Sequence, residues 1–256
     1  MTRYDVVVVG GGVAGLSAAI FTARHDFDTL VVDRGGRNRS GSRTESGGAS
    51  GSLLRRNAHL ENFPGFPAGV NGRQLLDLLG EQAERAGCRR VEARVVSVEQ
   101  TEEGFGVETA AGDRYRTAYV VAATKNAVGY LEGVDGVGII DRGKAFIDTD
   151  ERGRTGVDGL YAAGRLAEKP HQAAVCAGHG AEVGVTILED DDRPFYHDWV
   201  APEGYFTDRD RPLPPGCEEV DEAERREREA ESLATMRERF AEPHPDDQVT
   251  HPSLED

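Results

Sequence analysis

The stretch "YDVVVVGGGVAGLSAAIFTARHDFDTLVVDR", residues 4–34, decides the fold of this chain. It begins with an apolar, valine-rich run, the pattern of a strand buried on both faces of a parallel sheet. Gly10, Gly12 and Gly15 follow as GxGxxG, and an alanine-rich helix opens directly from that loop. A second apolar strand then ends at Asp33. This order of strand, glycine loop, helix, strand and acid predicts a Rossmann-like unit that binds a dinucleotide.

Each conserved element of this motif has its own physical task. Gly10 permits a tight turn, Gly12 lets the backbone approach a pyrophosphate, and Gly15 allows the helix to pack closely on the strand. The helix N-terminus then faces the phosphates, where its N–H groups and dipole favour negative charge. The carboxylate of Asp33 accepts hydrogen bonds from ribose hydroxyls.

The charge of the chain is strongly negative and unevenly spread. There are 46 acidic and 30 basic residues, a formal net charge of −16, and residues 189–256 hold 22 of the acidic but only 8 of the basic residues. Arginine supplies nearly all the positive charge, since only three lysines occur. This composition indicates a halophilic protein with a hydrated acidic surface, or alternatively a tail that serves as a specific acidic interaction segment. Nucleic acid is not an expected partner, because phosphate contacts need a basic face.

Targeting and redox signals are few. Asp5 and the glycines interrupt the first apolar run too early for a signal peptide or a membrane span, so we expect a cytoplasmic protein without a membrane partner. Cys88, Cys176 and Cys217 lie far apart, with no CxxC pair and no metal-like cluster with histidine. We therefore expect no disulfide scaffold, no metal site and no dithiol centre of the usual spacing.

The rest of the chain continues the pattern of an α/β domain. Residues 34–56 form a Gly/Ser/Arg loop with six arginines, mostly solvated in our interpretation, with one or two left to reach an anionic ligand. The turn-rich segment "HLENFPGFPAGVNG" leads into an amphipathic helix. Three runs, "EARVVSVEQ", "GFGVETA" and "RYRTAYVVAAT", predict an antiparallel meander. The segment "DGLYAAGRLAEKPHQAAVCAGHGAEVGVTILED" predicts one more strand, a glycine turn and a helix.

Three of these blocks, "GGGVAGLSAA", "LENFPGFPAGVNGRQLLDLLGEQAERAG" and "TGVDGLYAAGRLAEKPHQAAVCAGHGA", together resemble the FAD-binding domain of low-molecular-weight thioredoxin reductases. The resemblance covers about residues 3–189. It implies an α/β fold, namely a three-layer FAD/NAD(P)-binding Rossmann-like domain with a parallel sheet and a small antiparallel meander. It divides the chain into an FAD-binding domain, residues 1–189, and an acidic aromatic and helical tail, residues 190–256, and it implies FAD as the cofactor.

The same resemblance implies the cofactor contacts. The glycine loop holds the FAD pyrophosphate, Asp33 the adenosine ribose, and Val95 the adenine through its backbone. Gln172 and Ala173 begin a helix that faces the flavin ring, where backbone N–H groups favour negative charge on the reduced ring. The full implied set is Gly10, Gly12, Val13, Ala14, Gly15, Asp33, Arg34, Asn62, Val95, Thr124, Gly164, Arg165, Gln172 and Ala173.

The chain departs from the reductase pattern in three ways. In that family an NADPH domain carrying the CxxC pair follows the meander, but here "AATKNAVGYLEGVDGVGIIDRGKAFIDTDERG" runs straight through, with no second GxGxxG. Lys125 stands where the family usually has glycine, so we expect an altered backbone beside the cofactor. Arg165 replaces an aspartate that binds FAD. That arginine either pairs with an FAD phosphate, signals weakened or lost FAD binding, or turns outwards.

The sequence assigns no catalytic residue. Cys176 lies one helical turn beyond Gln172, and His171 directly precedes it, so both are candidates for contact with the flavin. The alternatives that we favour are a small buried hydrophobe for the cysteine and a surface position for the histidine.

The tail has no counterpart in the reductase pattern. Its aromatic residues predict a buried cluster. The cluster either covers apolar surface that a second domain would otherwise hide or forms a dimer contact, and covering the flavin is a less favoured alternative. Residues 217–242 predict a charged, solvated helix rather than a coiled coil, and residues 243–256 predict disorder. The aromatic residues are Phe195, Tyr196, Trp199, Tyr205 and Phe206.

The leading functional hypothesis is a single-domain FAD-dependent oxidoreductase. Its flavin is reduced by a partner protein, a small substrate or directly bound NAD(P)H, and not through the dithiol of a thioredoxin reductase. One alternative is a degenerate, non-catalytic nucleotide-binding module, which Arg165 and Lys125 favour. Another is the flavin subunit of a hetero-oligomeric reductase whose tail docks the partner. A homodimer is a further expectation, and fold alone does not choose among these readings.

Overall fold

A computed structural model describes residues 1–34 and 51–248 and divides the chain into two compact units. The first unit comprises Met1–Ile187 and Gln248–Asp256, and the second comprises Leu188–Asp247. Most of the predicted arginine-rich loop and the last part of the segment predicted to be disordered lie outside the described residues. Within the described ranges, no helix has both the length and the apolar character needed to cross a membrane.

The first unit alternates strands and helices as a Rossmann-like domain does. Its elements are β1 (Thr2–Val9), α1 (Val13–Arg24), β2 (Thr29–Asp33), α2 (Gly72–Arg85), β3 (Arg89–Glu92), β4 (Val95–Thr101), β5 (Gly104–Thr109), β6 (Arg114–Ala122), β7 (Ile139–Asp141), β8 (Ala145–Ile147), β9 (Leu160–Ala162) and α3 (Ala173–Asp190).

A seven-stranded sheet forms the centre of this unit. Its strand order is β3-β2-β1-β6-β5-β4, and β9 also pairs with β6. β1 pairs in parallel with β2 and β6, whereas β4, β5 and β6 form the antiparallel meander. The predicted fold class is confirmed. The sequence analysis did not identify β3 or the β7–β8 hairpin as strands, because β3 is a short edge strand with the exposed, charged sequence RRVE.

The sheet and helices pack through small residues. Val6, Val7 and Val8 are completely buried, as a central parallel strand requires. α1 and α3 approach each other at backbone distance, since a Cβ at Gly180 would collide with the carbonyl oxygen of Ala14. This close crossing fixes α3, and therefore its N-terminus, relative to the glycine loop.

The short connection after β6 becomes part of the core. Tyr130, Leu131 and Val134 are buried in the same cluster as the strands of the main sheet. The apolar side chains of the connection therefore pack directly in the core of the sheet.

The second unit contains β10 (Trp199–Pro202), β11 (Cys217–Val220) and α4 (Glu222–Arg239). The prediction that the charged helix starts at Cys217 is wrong, because the first four residues pair in parallel with β10 as a strand. Asp221 ends that strand and caps α4, accepting a hydrogen bond of 2.8 Å from the backbone N–H of Glu224. α4 itself buries none of its residues, in agreement with a solvated helix.

The aromatic cluster of this unit packs largely on itself. Trp199 meets the ring of Tyr205 edge-on with centroids 4.6 Å apart, and Phe206 is buried beside Ala201 and Cys217. A single carboxylate organises the loop that carries two of these rings. Glu219 accepts hydrogen bonds from the backbone N–H groups of residues 204, 206 and 207 and from the Thr207 hydroxyl.

Candidate functional site

The glycine loop joins β1 to α1 as the sequence predicts. Gly10 has φ +114°, a conformation that side chains disfavour, and a Cβ there would lie 2.6 Å from the carbonyl oxygen of Ala123. A Cβ at Gly15 would collide with the carbonyl oxygen of Gly10. Gly12 is different, because the nearest described atom to a Cβ there would be the Ser52 hydroxyl oxygen at 3.8 Å. The packing of the described residues therefore does not require a glycine at position 12, and room for a ligand is the remaining reason for its small size.

Gly12 is also the N-cap residue of α1, and no side chain caps this helix. Within the part of the chain that the structure describes, the first-turn N–H groups of α1 thus lack a side-chain cap and lie beside a residue without a side chain. This combination is the usual cradle for a phosphate or another anion.

A cavity of about 830 Å³ opens at this loop. Three further segments surround it: residues 52–62, the end of β6 and the loop between β9 and α3. The structure brings nine of the predicted site residues into its lining: Gly12, Val13, Ala14, Asn62, Arg165, His171, Gln172, Ala173 and Cys176.

A hydrogen bond connects two of the predicted site segments across this cavity. The side-chain amide of Asn62 donates to the side-chain oxygen of Gln172 at 2.9 Å, although 110 residues separate them in sequence. The bond ties the "ENFPGFP" loop to the start of α3. The two segments that resemble the reductases therefore meet at one place.

Other predicted residues lie around the cavity rather than in its lining. Asp33 ends β2, and its carboxylate lies so close to Gly11 that a Cβ there would be 2.6 Å from Oδ2. Arg34 follows Asp33 and is exposed. Val95 begins β4, and its side chain belongs to the core. Thr124 is held by its hydroxyl, which lies 2.6 Å from the Ala127 carbonyl oxygen.

Arg165 does not turn outwards. It is half-buried, lines the cavity and stacks its guanidinium 4.7 Å from the centroid of the Phe146 ring. It also donates a long hydrogen bond of 3.4 Å to the carbonyl oxygen of Lys169. Gly164 precedes it at φ +65°, and a Cβ there would lie 2.6 Å from the Cβ of Ala14, so the turn that carries Arg165 rests directly on α1.

Lys125 keeps a glycine-type backbone. Its φ is +65°, inside the left-handed region that L side chains rarely adopt. The lysine occupies a strained conformation at the edge of the cavity, where it adds a charge.

Positive charge accumulates at this end of the cavity. Partial burial lowers the pKa of the Lys125 ammonium, and the charges of Arg56, Lys144 and Arg165 lower it further. Partial burial likewise lowers the pKa of His171, assisted by Lys125, Arg165 and Lys144. Among the described residues that line the cavity, Glu61 is the single acid.

The thiol at the cavity behaves as a small apolar group. Burial raises the pKa of Cys176, which works against a reactive thiolate at neutral pH. Its sulfur lies 3.6 Å from the carbonyl oxygen of Pro170, and it forms no disulfide. His171 is exposed at the rim, as a surface histidine would be.

The sequence analysis did not single out His179, a buried residue of α3. Its Nδ1 accepts a hydrogen bond of 2.9 Å from the backbone N–H of Gly164. The ring is therefore neutral and carries its proton on Nε2, which is buried without a hydrogen-bond partner among the described residues. Burial, together with the charge of Lys169, lowers the pKa of His179 to about 4.

Residues 52–59 form a wall of the cavity that was not predicted, although Asn62, just beyond it, was. Ser52, Leu54, Arg56 and His59 line the cavity from this side. Residues up to Arg56 had been interpreted as a mostly solvated loop, with one or two arginines left to reach an anionic ligand or partner. A partial signal was present, since Leu53 and Leu54 form an apolar pair within an otherwise polar stretch.

Sequence comparisons identify the class of this domain. A family described as an FAD binding domain matches residues 5–63. A thioredoxin reductase of Aquifex aeolicus is 33% identical over 121 residues, which are 47% of this chain and 33% of that protein. A thioredoxin reductase of Streptomyces clavuligerus is 34% identical over 120 residues, which are 47% of this chain and 34% of that protein. The matched region spans about a third of the length of these relatives.

Solved structures show the same fold. A thioredoxin reductase from Gloeobacter violaceus superposes with a TM-score of 0.63 at 17% identity, covering 77% of this chain and 99% of that chain. A ferredoxin-flavin thioredoxin reductase from Clostridium acetobutylicum gives a TM-score of 0.55 at 17% identity, covering 74% and 98% of the two chains. The chain contains an FAD-binding domain, and FAD is its cofactor. More particularly, that domain is of the thioredoxin reductase-like type.

Proposed function

We propose that this protein is an FAD-dependent oxidoreductase whose flavin exchanges electrons with a partner or with directly bound NAD(P)H, and not through a dithiol of its own. The observation that carries the proposal is the cavity that begins at the uncapped start of α1 and ends at a positively charged rim. When bound, FAD supplies the hydride and electron transfer chemistry, and the protein supplies binding, orientation and electrostatics.

The residues present fit this cofactor. The N–H groups at the start of α1 would hold the pyrophosphate, and the missing side chain at Gly12 leaves the room for it. Asp33, at the end of β2, would bind the ribose. Gln172, held by Asn62, would fix the start of α3 beside the flavin, where backbone N–H groups favour negative charge.

Arg165 and Lys125 stand at positions where the reductase pattern has an acid and a glycine. Both carry positive charge at the same end of the cavity, and neither has an acidic partner among the described residues. We infer that this positive potential favours electron uptake at that end, because added negative charge is stabilised there. Cys176 has no role in this proposal, since its thiol remains protonated at neutral pH.

A further part of the proposal concerns the cellular setting. The chain has 46 acidic residues and few lysines, which supports a place in the cytoplasm of a salt-accumulating cell.

A non-catalytic module with the same fold is the alternative function, and it predicts a protein that retains no FAD.

Absorption spectroscopy tests the proposal. Protein purified in molar salt without added cofactor is expected to show the visible bands of bound oxidised flavin. In Gly12→Ala the new methyl group meets no described atom closer than the Ser52 hydroxyl oxygen at 3.8 Å, so the fold is expected to persist while FAD is lost. The matched control is Gly178→Ala in α3, where a Cβ also has nothing within 4 Å and FAD should be retained. A colourless wild-type protein that takes up no added FAD would contradict the proposal.

A further inference from the structure

The three lysines of this chain lie on segments at or beside the cavity. Lys125 lines the cavity, and Lys144 lies in the turn of the β7–β8 hairpin. The side-chain amide of Asn126 donates to the carbonyl oxygen of Ala145 at 3.0 Å, so the residues next to Lys125 and Lys144 are bonded to each other. Lys169 lies in the loop that leads to His171 and α3. Of the three, Lys125 alone is in the lining of this cavity as the described residues define it, and Lys144 and Lys169 lie on neighbouring segments.

Two of these lysines have no ion-pair or hydrogen-bond partner for the ammonium among the described residues. Among the described residues, no acid forms an ion pair with Lys125 or Lys144, and both side chains are exposed. Lys169 differs, because its ammonium donates to the carbonyl oxygen of Glu151 at 3.1 Å. The neighbouring Arg142 also differs, since it pairs with Glu168 at 3.1 Å.

Unpaired cations at one place raise the free energy of the protein. Partial burial, and then the neighbouring charges of Lys144 and Arg165, lower the pKa values of Lys125 and His171. The strained φ of Lys125 adds a second cost at the same position. The chain is rich in acids, yet none of those described forms an ion pair with Lys125 or Lys144. We therefore expect an anionic ligand to offset these costs.

The chemistry of the cluster indicates the ligand. A lysine ammonium is a compact point charge that binds phosphate or carboxylate without the fixed fork geometry of arginine. The phosphate cradle at the start of α1 belongs to a separate element from the hairpin that carries Lys144. Lys144 is thus not part of that cradle.

We propose that Lys125, Lys144 and His171 bind the oxyanion, a phosphate or a carboxylate, of a small molecule that enters the cavity beside the cofactor. The proposal rests on the proposed function and names the substrate class of that same site. It requires direct contact with the lysines, because the Debye length is only about 3 Å in 1 M salt.

Isothermal titration of the flavin-loaded protein tests this inference. The probes are potassium phosphate and potassium citrate, each exchanged against potassium chloride at constant ionic strength. Saturable binding with a Kd on the order of 1 mM is expected for at least one probe, and the stronger one distinguishes a phosphate from a carboxylate. Lys144→Gln should weaken that binding about tenfold, Lys144→Arg should largely keep it, and Arg142→Gln should leave it unchanged because that arginine has its own partner.

Two results would overturn the proposal. One is the absence of saturable binding of both probes to protein with a full flavin spectrum, which leaves the oxidoreductase function standing. The other is loss of flavin in Lys144→Gln, which would assign the lysine to the cofactor. The flavin band of each sample is recorded before titration, so failure of cofactor binding and failure of anion binding are read separately.

Discussion

Replacing Lys125 with glycine tests whether the left-handed backbone at the cavity is strained. A side chain at φ +65° costs about 1–2 kcal/mol, and glycine avoids this cost. Glycine also loses about 0.5–1 kcal/mol of backbone entropy on folding. The net expectation is that Lys125→Gly is more stable than Lys125→Ala by about 1 kcal/mol, which corresponds to about 3 °C in Tm for a unit of this size.

Comparison with alanine isolates the backbone effect from the charge. Both variants remove the ammonium and its repulsion by Arg56, Lys144 and Arg165, so this change cancels in the difference. Thermal unfolding should be followed by far-ultraviolet circular dichroism in molar salt with excess FAD for every sample. The difference in Tm between Lys125→Ala and wild type then measures the effect of the charge. The difference between Lys125→Gly and Lys125→Ala measures the cost of the positive φ.

The reasoning fails if alanine equals or exceeds glycine in Tm. Such a result would mean that residue 125 relaxes to a negative φ at little cost. The glycine preference of the reductases at this position would then have no backbone origin in this chain.

Three other predictions concern the fold around the cavity and the second unit. Gly15→Ala should destabilise the first unit by about 3 kcal/mol in chemical unfolding, because the new Cβ collides with the backbone of Gly10, and equal stability would refute that close packing. Because its pKa is lowered from 6.5 to about 4, His179 should cost stability as pH falls from 6.5 to 4, to a total on the order of 3 kcal/mol, and His179→Asn should flatten this pH dependence. Backbone hydrogen bonds lower the pKa of Glu219, so its contribution to the stability of the second unit is present at neutral pH and is lost as pH falls below the ordinary pKa of 4.5. The fluorescence emission of Trp199, the single tryptophan of the chain, should follow that loss in wild type and not in Glu219→Gln.

Sequence patterning predicted the first unit well because its signals are local. The valine-rich run, the glycine spacing and Asp33 lie within one stretch of 31 residues, and each has a backbone requirement that few other residues satisfy. The strands of the meander are similarly marked by alternation and short turns. These features depend on neighbours in sequence, so they can be read without the structure.

Long-range features were harder to predict. The hydrogen bond from Asn62 to Gln172 and the bond from the Gly164 N–H to His179 join segments that only the folded sheet brings together. The strand at Cys217–Val220 was not predicted, because it lies in a charged stretch that is typical of a solvated helix. Its glutamates instead bond the loop before it, through Glu219, and pair with Arg228, through Glu218. Composition alone does not distinguish these uses of an acidic residue.

The close crossing of α1 and α3 has a consequence for how such a site changes during evolution. Gly180 sets the distance between the helices eight residues, or about 12 Å of helix, away from Gln172. The frame of the cavity is thus fixed by a backbone contact between α1 and α3, which does not involve the side chains at the rim. Side chains at 165, 171 and 172 are free to exchange acid for base or one substrate preference for another, while the scaffold is inherited unchanged. A lineage can acquire a new reaction here by substitutions at the rim, and the glycine at the helix crossing is the position it has to keep.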